Sequence, residues 1–185
     1  TVTSIAVTLT NTGTVDVQAG TLLLVGGGTS SGTFNMAAGA TLEFASGTQT
    51  LQTGTSLTGA GTALLSGGAL TIAGNTSAST LSISGGTLTV NSGATASTTS
   101  GTFAGGTLTG TGTFTIATNN GTYTWTGGAM LSSGQTTVAA GGTLAVTAPP
   151  CCTVGIDART LSNAGTLTVS CGTPYPATLE EPRTP

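Results

Sequence analysis

Apolar residues along this chain recur in pairs two positions apart, with a small or hydroxylated residue between them. The stretch Gly121–Val146, GTYTWTGGAMLSSGQTTVAAGGTLAV, holds the pattern in full. A Gly-Thr or Gly-Gly turn leads into a short alternating run, another glycine turn follows, and the phrase begins again. Side chains on a strand alternate between its faces, so Tyr123 and Trp125 share one side of TYTWT and the threonines the other. The same phase gives the inward pairs Val15/Val17, Leu22/Leu24, Phe34/Met36, Leu42/Phe44, Leu70/Ile72 and Leu81/Ile83. Leu88/Val90, Phe114/Ile116, Leu144/Val146 and Leu167/Val169 continue it. No segment keeps a helical period, and glycine or Asn/Ser clusters separate the runs. The pattern predicts an all-β chain of many short strands.

Strand starts lie about 6–12 residues apart, and equivalent phrases return after roughly 18–23 residues, the mark of a repeat architecture. Thr21, Thr41, Thr62 and Thr80 trace one such column, and SLTGAGT at Ser56–Thr62 echoes TLTGTGT at Thr107–Thr113. A coil of about 20 residues with two or three short strands fits one turn of a parallel β-solenoid. The competing fold is an antiparallel β-sandwich. The solenoid is preferred because the repeat is finer than a sandwich domain and four-residue strands need stacked neighbours. Tight hairpin signals are also nearly absent, with Asn120-Gly121 the one example. The expected organisation is solenoid repeats over 1–148, a cysteine-containing terminal coil over 149–173 and a proline-rich extended tail over 174–185.

Phrases such as GTYTWTGGAM, TTVAAGGTLAV and GGTLTVNSG resemble the repeats of bacterial β-helical surface proteins, among them autotransporter passengers and filamentous-haemagglutinin-like adhesins. The resemblance covers roughly Gly13–Val146, with a further copy at Gly165–Val169. It implies an extracellular protein of the bacterial surface. It carries over no catalytic residue, because the shared phrase contains none.

Composition narrows the chemistry. Of 185 residues, 31 are glycine, none is histidine, and charged residues make up 4%, against about 25% in an ordinary globular protein. The net charge of −3 leaves no electrostatic footprint for nucleic acid. The longest apolar run, Leu22–Val25, is far below the roughly 20 residues of a membrane span. The chain opens without a methionine or signal peptide, which reads as a processed form or a fragment.

Few residues are candidates for a specific task. Cys151 and Cys171 are 20 residues apart, about one coil, so a Cys151–Cys171 or Cys152–Cys171 disulfide is expected. Three thiols without histidine do not make a zinc site, and neither metal nor cofactor is expected. Asp16 and Glu43 stand alone at outward positions, whereas glycosidase chemistry needs two neighbouring carboxyls. Serines are plentiful but lack a histidine or lysine base. Asp157 and Arg159, two apart, are expected to share a strand face as an exposed ion pair. Thr-x-Thr occurs at Thr87/Thr89, Thr107/Thr109, Thr113/Thr115, Thr122/Thr124 and Thr166/Thr168. Regular threonine arrays suit ice binding, but these copies look uneven and do not fall once per coil. Asn75-Thr76-Ser77 and Asn120-Gly121-Thr122 match the N-glycosylation pattern.

The ends of a solenoid expose unpaired backbone groups. Neighbouring domains of a larger protein or further copies of this chain are the expected cover. Self-association is assigned to the first strand region (Thr1, Val2, Ile5, Val7, Leu9) and to the arm (Pro174, Tyr175, Pro176, Leu179). The sequence therefore predicts a non-enzymatic, self-assembling subunit of a bacterial surface fibre. The stalk of an adhesin contacting a glycan or host surface, and an ice-binding solenoid, stand as alternatives.

Overall fold

The computed structural model describes residues 1–117, 120–148 and 154–170. The chain is all-β, a parallel β-solenoid of about eight turns with coils of about 21 residues. Each coil lays a strand on each of three faces. Every strand–strand pairing between coils is parallel, which excludes the sandwich.

The first face runs through Val2–Ile5, Thr21–Leu24, Thr41–Phe44 and Thr62–Leu65, and later through Thr122–Trp125, Thr143–Val146 and Thr166–Val169. The second face is a continuous 8-stranded sheet from Leu9–Asn11 to Gly155–Ile156. The third begins with Thr14–Val17, Thr33–Met36 and Ser56–Thr58 and continues to Thr160–Asn163. Two strands are longer than the phrase predicts. Thr76–Ile83 and Thr95–Phe103 pass unbroken from the third face of one coil to the first face of the next. Gly101 makes the second passage possible: its φ is +143°, and a Cβ there would strike the carbonyl of Leu81.

The column read from sequence is real. Thr21, Thr41, Thr62 and Thr80 are Cα partners in successive coils. The inward pairs fill one core along the axis, with Phe34, Leu42, Leu70, Leu88, Phe114, Tyr123 and Leu144 all 0% exposed. Leu167 and Val169 keep the inward phase, as partners of Leu144 and Val146, yet are 38% and 63% exposed. No described coil lies over them.

A glycine stack turns the corner between the first and second faces. Gly47, Gly68, Gly86, Gly106 and Gly128 all have positive φ, between +63° and +85°. Each carbonyl from Gly47 to Gly106 accepts a hydrogen bond from the strand of the next coil, as in Thr87 N–H to Gly68 O at 2.9 Å. A Cβ on Gly106 would lie 2.5 Å from the carbonyl oxygen of Gly86. Side chains are thus excluded from this corner by both conformation and space.

Candidate functional site

The sequence offers threonine, and the register shows what it builds. On the second face, Thr10, Thr29, Thr50, Thr71, Thr89 and Thr109 are successive Cα partners, one per coil, through six coils. Two positions upstream, Thr48, Ala69, Thr87, Thr107 and Ala129 form a parallel column. Residues between the columns, such as Leu70, Leu88 and Leu108, are buried, so both columns point outward. The expectation that threonine copies do not fall once per coil is corrected here. The Thr-x-Thr phrases belong to three faces: Thr87/Thr89 and Thr107/Thr109 to the second, Thr113/Thr115 to the third, Thr122/Thr124 and Thr166/Thr168 to the first. Read as one linear series they look irregular; sorted by face they align.

The other faces are less uniform. The first carries Leu23, Glu43 and Leu64 in its second outward column, and the third carries Asp16 and Asn35.

Asp16 and Glu43 lie on different faces, the third and the first. Asp16 accepts hydrogen bonds from Asn35 Nδ2 at 2.8 Å and Gln18 Nε2 at 3.2 Å. Glu43 accepts one from the Ser66 hydroxyl on the next coil. Asp16 and Gln18 border a shallow concavity of about 320 Å³ with Thr3, Thr21 and Leu22. Among the described residues, no group of three or more His, Cys, Asp or Glu could hold a metal ion.

Arg159 departs from its expected role. It is not part of an exposed pair with Asp157: Asp157 is exposed, whereas Arg159 is only 7% exposed. Ala158 between them has φ +56°, which breaks strand alternation and turns the two side chains apart. The Arg159 guanidinium enters the core and donates from Nε to Thr136 Oγ1 at 2.8 Å and from Nη2 to the Gln135 carbonyl at 2.8 Å. Longer bonds reach the carbonyls of Gly110 and Gly112 one coil further back. Burial pulls its pKa below the ordinary arginine value.

Tyr123 and Trp125 are core, as their phase predicts. Tyr123 is fully buried and Trp125 is 5% exposed. Trp125 stacks on Phe103 of the preceding coil at 6.0 Å, and Tyr123 meets Phe114 edge-on at 5.3 Å. Trp125 Nε1 donates to the Gly127 carbonyl at 3.0 Å. The Tyr123 hydroxyl has no partner among the described residues, and burial raises its pKa well above the usual phenol range.

Of the self-association residues, Val2 and Val7 are 65% and 71% exposed, while Ile5 and Leu9 pack partly against the core. Cys151, Cys152, Cys171, Pro174, Tyr175, Pro176 and Leu179 lie outside the described residues. Asn75 of the first glycosylation match is exposed, and its side-chain oxygen accepts the Thr95 N–H at 3.0 Å.

No protein-family model, no curated protein and no solved structure matches this chain.

Proposed function

We propose that the chain is a non-enzymatic structural element of the bacterial surface, a stiff rod that builds a fibre by end-to-end repetition. The observation that carries this reading is the unbroken parallel register of the second face from Leu9–Asn11 to Gly155–Ile156. The first face, from Val2–Ile5 to Thr166–Val169, climbs eight inter-coil steps of about 4.8 Å, which give a rod roughly 38 Å long. Hydrogen bonds between coils run along this axis, so bending or stretching the rod strains many at once. Among the described residues, Val2–Ile5 and Thr166–Val169 each pair on one side only. Among the described residues the first-face ladder is therefore open to a further coil, either from another copy or from adjoining sequence. Leu167 and Val169 offer that coil apolar surface in the inward phase. Asp16 and Glu43 are each engaged by polar neighbours, Asn35 and Ser66, in keeping with a mechanical role.

Electron microscopy of the purified chain over a range of concentrations tests the reading. Unbranched filaments with the rod's length as their axial repeat are expected. Rods that stay single at every concentration would remove self-assembly and leave the stalk of a larger adhesin as the surviving form.

A further inference from the structure

We propose that the second face is an ice-binding surface, recognising the ordered water of a crystal through its threonine grid. Four successive coils present Thr48/Thr50, Ala69/Thr71, Thr87/Thr89 and Thr107/Thr109 as two outward columns. Strand geometry spaces such positions about 4.8 Å up each column and about 6.6 Å along each strand. The longer column, Thr10 to Thr109, extends over five inter-coil steps, about 24 Å.

Three features on this face favour crystalline water over other ligands. First, threonine is stiff at χ1, so a repeated backbone gives repeated hydroxyl and methyl positions. Hydroxyls anchor water by hydrogen bonds, and the methyls between them restrict its orientation. Second, the hydroxyls of Thr48, Thr50, Thr71, Thr87, Thr89 and Thr107 have no protein partner among the described residues. Only at the end of the grid does Thr109 bond to Ser132, at 2.7 Å. Third, the glycine stack at Gly47, Gly68, Gly86 and Gly106 borders the grid, so no side chain rises at that edge. A flat crystal face can approach without a step. Neither column contains a charged residue, which would hold its own hydration shell, or an aromatic plane on which a sugar would stack.

This inference is independent of self-assembly, because the grid lies on the side of each rod. The test is growth of single ice crystals in solutions of the whole chain, read as thermal hysteresis and crystal faceting. Folding of each variant is checked by circular dichroism and melting temperature. The unmodified chain is expected to produce hysteresis. Thr71→Tyr and Thr89→Tyr, which raise a ring above the grid, are expected to lower it by an order of magnitude. Thr124→Tyr on the first face and Thr115→Tyr on the third are expected to leave it within twofold. The inference is overturned if the unmodified chain neither shapes crystals nor produces hysteresis. It is equally overturned if the substitutions on the other faces reduce activity as much as those on the second.

Discussion

Gln49 gives the most demanding test of the core. It stands in the inward column of the second face, between Gly28 and Leu70, and is 2% exposed. Neither its amide nitrogen nor its amide oxygen has a partner among the described residues. An unpaired buried polar group costs about 1–3 kcal/mol, so the two together cost roughly 2–6 kcal/mol. Gln49→Leu removes both atoms and places a branched apolar side chain beside Gly28, where no side chain competes for space. Overpacking against Leu70 returns at least about 1 kcal/mol of that gain. The net expectation is a stabilisation of about 1–5 kcal/mol. For a chain of this size it raises the thermal midpoint by about 2–20 °C. The reciprocal change, Leu70→Gln, is expected to destabilise by about 3–5 kcal/mol, since it removes a buried leucine and adds the same defect. Both are read by thermal and urea unfolding followed by circular dichroism. A Gln49→Leu chain that melts at or below the parent temperature would refute the reasoning, because the amide would then be satisfied inside the coil.

Three further changes probe separate devices. Gly106→Ala is expected to cost more than Gly141→Ala in thermal melts although their φ values are +80° and +81°. Both lose the left-handed allowance, about 1–2 kcal/mol. Only Gly106 also drives a Cβ into the preceding carbonyl, since Gly141 has nothing within 4 Å. Arg159→Ala is expected to destabilise the last coils by about 3 kcal/mol or more, and Arg159→Lys to rescue little of it, because an ammonium cannot match the fork that reaches Gln135, Thr136 and Gly112. Hydrogen exchange at Thr160–Asn163 reads that loss locally. Tyr123 is held neutral by burial, so the stability it contributes is complete below the free phenol pKa of about 10 and is lost as pH rises beyond it. Tyr123→Phe is expected to remove most of that alkaline decline in melting temperature and, by deleting an unpaired hydroxyl, to leave the neutral-pH midpoint equal or higher.

Much of the fold was legible because the strand period of two is local. Pairs such as Phe34/Met36 and Leu144/Val146 announce their inward face without help from the rest of the chain, and Thr21 to Thr80 announce the coil length. The threonine grid was not legible for a related reason. Coil steps vary, from 18 residues between Thr62 and Thr80 to 26 between Ala129 and Gly155, and each coil spends its phrases on three faces. Only register sorts them. Thr29 and Thr50 lie in the grid, yet Thr29 has no Thr-x-Thr signature of its own. Arg159 escapes the strand pattern because one residue, Ala158, takes a left-handed turn that alternation does not foresee. Gln49 carried a readable signal, since it occupies the inward position two before Leu51, but apolar counting passes over it.

The account depends most on one register holding through the coils, because the rod and the grid both follow from it. Through-space nuclear magnetic resonance contacts from the Thr71 backbone measure it directly. The account predicts contacts to Thr50 on one side and Thr89 on the other, with parallel progression from Ala69 to Ile72 along both neighbours. Contacts that progress in opposite directions along the neighbouring strands, or that pair Thr71 with residues of its own coil, would contradict it.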